Sequence, residues 1–484
     1  MLFNSLEFLF FFPAVFVHYY FLRQSQRLWM LLIASCIFYM VYRPEYILII
    51  LLTIIIDYFA AFQIQKHAGS KRKQWLLASI IANVSILVFF KYSNFAIANW
   101  NWLNDKINLH LSSPILNIAL PIGLSFHTFQ AMSYTIEVYR GKHEAEKHFG
   151  VYALYVLFFP QMVAGPIERP QNILPQLKVK HQFNYTEVVE GLKQVLWGFF
   201  KKLVIADRLA LFVNAVFDHP HDYSGASVWI AIYFFAFQIY CDFSGYSDIA
   251  LGCARMLGIR LMTNFNAPYL SKSVKEFWSR WHISLSTWFR DYVYIPLGGN
   301  KVSNLKWVRN ILIVFVLSGF WHGANWTFIV WGLLHGLYLI IDHFSPTLSP
   351  STSLRINSER TLEASINYPA KFFKWFLTFN LVCFAWIFFR ANSISDCWMI
   401  IQHASIPDFN IPKLYEVSSK SQFYLSFALI FLLMTFEYFH QRKNLFERIQ
   451  VMPMIPRWSI YIAIFWIILK FGMFSQQQFI YFVF

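Results

Sequence analysis

The chain has 484 residues, of which 57% are hydrophobic and only 13% are charged. Soluble globular domains carry about 25% charged residues, so the composition excludes a soluble enzyme or binding module and predicts an all-α, polytopic membrane protein. The formal net charge of +15 does not indicate nucleic-acid binding, because the basic residues gather in short segments between apolar runs, as in cytoplasmic loops of membrane proteins.

Apolar runs close to the roughly 20 residues needed to cross a bilayer recur along the chain. The clear candidates for spans are residues 2–22, 46–62, 75–90, 228–240, 311–320 with 327–341, 372–389, 423–439 and 460–474. Less regular candidates are residues 28–42, 115–139 and 151–165.

The first run predicts a retained span, because it lacks a basic start, contains Glu7 and is not followed by a small-residue cleavage site. Residues 63–74 hold four basic residues and no acid, which predicts a cytoplasmic loop. This placement predicts that the N-terminus lies outside the membrane.

We expect one integral-membrane domain with N-terminal spans in 1–140, a catalytic central region in 150–343, and an exposed loop with C-terminal spans in 344–484. The segment after residue 165 should lie outside but is rich in lysine and arginine. Irregular backbone at membrane depth is tolerated only inside protein or along a wet cavity. Either residues 151–165 do not fully cross or the following segments re-enter, and in both cases the central region is predicted to surround a central cavity.

Residues 275–292 show helical spacing with aromatic residues on one face, including Trp278 and Trp288. The opposite face is polar and includes His282 and Arg290. This pattern predicts a single amphipathic helix at an interface or along a cavity.

His322 is the most informative residue, because it lies between two strongly apolar segments and is flanked by Gly319 and Gly323. An ionisable side chain at membrane depth is a functional candidate by default, and an imidazole can act as a base near neutral pH. The alternative is a structural histidine bonded to a backbone carbonyl. The glycines allow close approach of either a neighbouring backbone or a ligand. Near His322 in the sequence are the aromatic Trp321 and the polar Asn325.

A cluster at 240–248 contains Asp242, which could orient a histidine as carboxylates do in catalytic triads. No G-x-S-x-G context surrounds Ser244 or Ser247, so a serine nucleophile is disfavoured. Isolated charges within apolar runs, such as Asp57, are expected to be paired, structural or in contact with water. A metal is not expected, because the two histidines have no third ligand at a recognisable spacing.

Six segments together resemble the membrane-bound O-acyltransferase (MBOAT) family, and within it the bacterial alginate O-acetylase branch, over nearly the whole chain. They are residues 120–130, 160–170, 242–248, 264–269, 277–299 and 319–326. The resemblance implies a helical bundle with a thinned centre, with His322 as the catalytic histidine and His282 at the second active-site position.

The resemblance further implies transfer of acetyl groups across the bacterial inner membrane for O-acetylation of a cell-envelope polysaccharide. His322 would be the general base, and His282 with Arg290 would position substrate or stabilise negative charge. Asp242, Asn325 and Trp321 complete the predicted substrate-binding set.

No bound cofactor is expected, and the acyl donor from the cytoplasm would be acetyl-CoA or another acyl thioester. The expected partners are membrane lipids, a polysaccharide acceptor (alginate-like exopolysaccharide, capsule or peptidoglycan) and an extracytoplasmic SGNH-hydrolase-like acetyltransferase. D-alanyl transfer to teichoic acid-type polymers is the alternative within the family. A transporter for lipid-linked sugars is the alternative outside it, although the internal repeats typical of transporters are not evident.

Overall fold

The computed structural model describes residues 1–109, 111–163, 165–345, 368–409, 411–474 and 479–480. Within these ranges the chain consists of α-helices joined by short 3₁₀ and π turns and irregular segments, and it contains no β-strand. This architecture confirms the predicted all-α fold class.

The helices in chain order are α1 Leu6–Phe21, α2 Gln24–Met40, α3 Ile47–Lys66, α4 Gly69–Lys106, α5 Leu124–Tyr139, α6 Phe149–Leu157, α7 Phe159–Met162, α8 Pro170–Lys178, α9 Tyr185–Phe199, α10 Asp207–Asp218, α11 Ala226–Met256, α12 Val274–Arg280, α13 Ile283–Phe289, α14 Asn304–His322, α15 Trp326–Phe344, α16 Tyr368–Arg390, α17 Ile394–Ala404, α18 Pro412–Val417, α19 Lys420–Lys443, α20 Leu445–Gln450 and α21 Met454–Phe471. They form two compact units. Unit 1 comprises Met1–Lys202, Asp242–Thr263 and Ile464–Phe484, and unit 2 comprises Leu203–Cys241 and Asn264–Ala463. The predicted single domain with boundaries near 140, 150 and 343 stays a prediction.

Seven helices of the described chain are long and apolar enough to cross a membrane. They are Pro44–Lys66, Gly69–Lys106, Ala226–Met256, Trp326–Phe344, Tyr368–Arg390, Lys420–Lys443 and Met454–Phe471. Their number confirms a multi-pass membrane protein. They differ in burial: 78% of the apolar window of α11 is buried in protein, against 6% for α21. A helix that is apolar on all sides and buried belongs to the protein core, whereas an exposed one faces lipid.

Two of the irregular candidates are not continuous spans. The helix predicted within 115–139 begins only at Leu124, because Gly123 adopts a left-handed conformation with φ of 74°. The candidate at 151–165 is divided at Phe158 into α6 and α7, of nine and four residues. Such lengths are too short to cross a bilayer. Because both α6 and α7 are buried in protein, the segment is enclosed rather than spanning.

The predicted basic loop at 63–74 is also wrong in its extent. The connection between α3 and α4 consists of His67 and Ala68 alone, and the following basic residues lie in the first turns of α4. Arg72 donates from Nη2 to the carbonyl oxygen of Tyr139 at 2.6 Å. The basic residues therefore extend a helix and fasten it to α5. The exposed loop predicted from residue 344 falls largely on 346–367, which lie outside the described residues.

In unit 1, glycines bring α9 against the second half of α11. A Cβ atom at Gly198 would lie 2.6 Å from the carbonyl oxygen of Gly245, and one at Gly191 would lie 2.7 Å from that of Gly252. Only glycine permits backbones to approach this closely. The contact is followed directly by a π-helical turn, Phe200–Ala206.

Asp57 on α3 is fully buried and is held by side chains of α4. It accepts hydrogen bonds from Ser79 Oγ at 2.6 Å and from Asn83 Nδ2 at 2.8 Å. The carboxylate is thus hydrogen-bonded inside the bundle, which agrees with a structural role for this isolated charge.

Candidate active site

Residues 275–292 form two short helices rather than the single amphipathic helix that the spacing predicted. Helix α12 ends at Arg280, Trp281 is extended, and His282 is left-handed with φ of 44° before α13 begins at Ile283. On the polar face of this segment His282 is fully enclosed, next to Trp281, which is 1% exposed, whereas the Arg290 side chain is 58% exposed. The aromatic spacing continues through the break, so the sequence pattern could not reveal it.

The break is held by the chain segment that precedes α12. The amide of Ile283 donates to the carbonyl oxygen of Asn264 at 2.9 Å, and the amide of Asn266 donates to the carbonyl oxygen of Arg280 at 3.0 Å. One short segment therefore ties both sides of His282, which fixes the direction in which its ring leaves the backbone.

His322 is the last residue of α14, and a tight turn then leads into α15. The two helices meet at glycines: a Cβ atom on Gly319 would overlap the carbonyl oxygen of Phe328, and one on Gly332 would overlap that of Phe315. A Cβ atom on Gly323 would overlap the ring of Phe328. Here the glycines provide for close packing within the protein, and this packing places His322 at the helix junction.

The structure brings His282, Trp321 and His322 together in unit 2. The ring centroids of the two histidines are 6.4 Å apart, and the Trp321 ring lies 6.3 Å from that of His282 and 4.9 Å from that of His322. Trp331 and Phe389 cover further sides of His322, with centroids at 5.0 and 5.3 Å. The result is a pair of imidazoles in an aromatic enclosure.

This enclosure sets the chemistry that the pair can perform. Complete burial lowers the pKa of His282, which favours the neutral ring. A neutral imidazole offers one N–H donor and one nitrogen acceptor. In a site of low dielectric constant, a hydrogen bond to developing charge is stronger than it is in water. Two such rings can serve one reacting centre, one as a proton acceptor and the other as a donor.

The other predicted site residues make different contacts. The side chain of Arg290 is 58% exposed and donates from Nε to Asp291 at 2.8 Å. Asn325 caps α15 by accepting from the amide of Thr327 at 3.1 Å, and its Nδ2 donates to Asn392 at 2.8 Å. Their predicted roles in substrate binding stay predictions.

Asp242 belongs to unit 1 and lies inside α11, which continues to Met256, rather than at the end of a span as the sequence suggested. Its carboxylate is 2.6 Å from the Lys202 ammonium and accepts from the amide of Ile480 at 2.7 Å. Both charged side chains are almost fully buried. Through these contacts Asp242 stabilises the packing of unit 1. Its predicted role toward substrate stays a prediction.

His335 was not selected from the sequence as a site residue, yet it shares the aromatic enclosure. It is fully buried on α15, its ring lies 5.1 Å from that of Trp331, and its Nδ1 accepts from Trp278 Nε1 at 3.3 Å. The signal that could have identified it is the spacing of four residues between Trp331 and His335, which places both on one face of a helix.

In the part of the chain that the structure describes, no three side chains of histidine, cysteine, aspartate or glutamate are grouped so that they could hold a metal ion.

The fold and the site define a multi-pass membrane protein with a buried histidine pair. The profile of MBOAT, the membrane-bound O-acyltransferase family, matches residues 146–368. A peptidoglycan O-acetyltransferase of Helicobacter pylori is 36% identical over 438 residues, covering 83% of this chain and 79% of that protein. A probable alginate O-acetylase of Pseudomonas aeruginosa is 37% identical over 407 residues, covering 83% and 74%.

A teichoic acid D-alanyltransferase of Streptococcus thermophilus is more distant, at 29% identity over 307 residues, which cover 57% of this chain and 69% of that protein. This chain belongs to the membrane-bound O-acyltransferase family. Family membership confirms the resemblance seen in the sequence and the predicted enzyme class, an O-acyltransferase. The matched region contains both His282 and His322.

Proposed function

We propose that this protein transfers acetyl groups for O-acetylation of a cell-envelope polysaccharide, with His322 as general base. The observation that carries the proposal is that two buried histidines, His322 and His282, lie close together, with ring centroids 6.4 Å apart. Two relatives at 36% and 37% identity bear the names of a peptidoglycan O-acetyltransferase and an alginate O-acetylase, which supports acetyl as the group and a polysaccharide as the acceptor.

In the proposed reaction an acceptor hydroxyl attacks the carbonyl carbon of an acyl thioester. The hydroxyl proton passes to His322 as the new C–O bond forms, and the C–S bond then breaks. The departing thiolate takes the proton back from His322, so the base is regenerated. General base catalysis of this kind contributes about 10²–10⁴-fold in rate.

His282 would donate its ring N–H to the carbonyl oxygen as negative charge develops there. Removing one such donor from a preorganised site costs about 10²–10³-fold in rate. Trp321, which contacts both rings, would form a wall of the site. Arg290 and Asn325 would act at the approaches to the site, and Asp242 would orient polar groups.

The donor would be acetyl-CoA or another acyl thioester from the cytoplasm, with no cofactor held by the protein. The protein would lie in the bacterial inner membrane among lipids, with its N-terminus outside. The acetyl group would pass to an extracytoplasmic SGNH-hydrolase-like acetyltransferase and then to alginate-like exopolysaccharide, capsule or peptidoglycan. Transfer of D-alanine to a teichoic acid-type polymer is the alternative, supported by the more distant relative.

The test is to measure ester-linked acetate on each envelope polysaccharide of a deletion strain complemented with wild type or variants. We expect His322→Ala to abolish acetylation of one polymer at normal membrane abundance, and His282→Ala to lower it at least tenfold. His343→Ala is the matched control, because His343 is an exposed residue on α15 whose ring stacks on Trp307 at 4.2 Å. It should behave as wild type.

Wild-type acetylation in the His322→Ala strain would overturn the assignment of the base. Acetate that is unchanged in every polymer fraction of the deletion strain would overturn acetylation itself. D-alanine esters released from the same fractions distinguish the alternative transfer reaction.

A further inference from the structure

The backbone of His282 has a conformation that is uncommon for any residue with a Cβ atom. Its φ and ψ are 44° and 53°, in the left-handed region, and the residue is completely buried. Residues with a Cβ atom seldom adopt this region, although asparagine, aspartate and histidine do so more often than the others, and they persist there when the surrounding structure holds them. The contacts around His282 therefore have to explain how the residue is held.

The first amides of α13 are satisfied in an unusual way. An N-cap residue normally accepts a hydrogen bond from the second or third amide of its own helix. Ser273 does this for α12 and Asn184 does it for α9. His282 occupies the N-cap position of α13 but makes no such bond with its side chain.

Asn264 takes over the capping from outside the helix. Its backbone oxygen accepts from the amide of Ile283 at 2.9 Å. Its Oδ1 accepts from the amide of Ser284 at 3.2 Å and from the Ser284 hydroxyl at 2.8 Å. Asn264 is 2% exposed and Ser284 is fully buried, so water does not replace these bonds if they are lost.

The same segment holds the chain on the other side of His282. The amide of Asn266 donates to the carbonyl oxygen of Arg280, whose Nη1 donates back to the carbonyl oxygen of Asn266 at 3.2 Å. With both flanks tied and the helix start capped by Asn264, the imidazole of His282 is not used for capping and lies beside Trp321 and His322.

We infer that Asn264 is a positioning residue for His282: by capping α13 in its place, Asn264 keeps the His282 ring directed at His322. The inference rests on the proposed function, because positioning matters for transfer only if His282 takes part in it. Asn264 itself touches neither substrate nor reacting atoms in this scheme.

The experiment follows the release of free thiol from acetyl-CoA, used as the probe, in membrane vesicles that carry wild type or a variant. We expect Asn264→Ala to lower the rate about 10–100-fold, because a displacement near 1 Å in an active site has effects of that size. In the His282→Ala background the same change should lower the rate by less than twofold, since the residue that it positions is gone.

Asn184→Ala is the matched control, because it removes an asparagine cap from α9 in unit 1. It should leave the rate within twofold in both backgrounds. Equal rates for Asn264→Ala and wild type, or effects of Asn264→Ala and His282→Ala that multiply in the double variant, would overturn the inference.

Asn264→Asp gives a second readout that a purely structural role would not move. It keeps the oxygen acceptors that cap α13, so it should fold even if Asn264→Ala does not. If Asn264 acts through this cap, Asn264→Asp should keep the rate of thiol release within about threefold of wild type, whereas Asn264→Ala lowers it about 10–100-fold.

A rate for folded Asn264→Asp as low as that of Asn264→Ala would overturn the inference. Two results distinguish the role of His282 from that of Asn264. If His282→Ala leaves the rate unchanged, the role of His282 in the proposed function falls and the inference falls with it. If His282→Ala abolishes thiol release while both Asn264 variants match wild type, only the inference falls.

Discussion

The contact between α14 and α15 can be tested by adding a single methyl group. At Gly332 a Cβ atom would overlap the carbonyl oxygen of Phe315 and would lie 3.4 Å from the Cα atom of Gly319. A backbone carbonyl cannot rotate away as a side chain can. Gly332→Ala must therefore push the helices apart, by about 1 Å if normal contact distances are restored. His322 follows Gly319 on α14 by less than one turn, so it would move with that helix.

Two effects of this displacement can be estimated. Overpacking of a close contact typically costs about 1–3 kcal/mol of stability. A shift near 1 Å of a residue at the reacting centre can lower the rate about 10²-fold. Gly336→Ala is the matched control on the same helix: its Cβ would lie at ordinary contact distances, with the side chains of Leu312 and Phe315 both nearest at 3.4 Å. That variant should gain up to about 1 kcal/mol from the higher helix propensity of alanine.

The assay compares the two variants for thermal unfolding in detergent and for ester-linked acetate on the envelope polymer in complemented cells. We expect Gly332→Ala to unfold at a lower temperature and to give at least tenfold less acetate at equal abundance. Gly336→Ala should match or exceed wild type in both measurements. If Gly332→Ala behaves as Gly336→Ala does, the close backbone contact between α14 and α15 does not determine the position of His322.

Three further substitutions should lower the thermal unfolding temperature for separate reasons. Lys202→Met removes the cation beside the buried Asp242 carboxylate and should lower the free energy of unfolding by about 3–5 kcal/mol. Adding Asp242→Leu should recover most of that loss, and a double variant no more stable than the single one would contradict this. Asn83→Ala removes a hydrogen-bond donor from the buried Asp57 carboxylate and should lower the free energy of unfolding by about 1–3 kcal/mol. Wild-type stability of this variant would contradict a structural role for that carboxylate. Gly198→Ala would place a Cβ 2.6 Å from a carbonyl oxygen of α11 and should destabilise by about 1–3 kcal/mol; a rise in unfolding temperature would refute the contact.

The sequence predicted the membrane-spanning character of the fold because hydropathy acts over whole helices. Nearly every long apolar run lies within a helix of the structure, and His322 stood out because an ionisable group in such surroundings is rare. Two segments were predicted wrongly because a single residue changes the direction of the chain. Gly123 delays the start of α5, and His282 divides an otherwise regular aromatic pattern into α12 and α13.

The placement of the two histidines shows why such details escape a reading of the sequence. His322 is placed by glycines on two consecutive helices, and the sequence showed the glycines without showing whether a backbone or a ligand would approach them. His282 is placed by hydrogen bonds between Asn264 and Ser284; Asn264 lies in a segment that carries the family resemblance, but no pattern in that segment indicates this contact. The first arrangement depends on the absence of a side chain and the second on one oxygen atom in the right place. Neither has a periodic pattern, because each depends on tertiary contacts that periodicity within one helix does not encode.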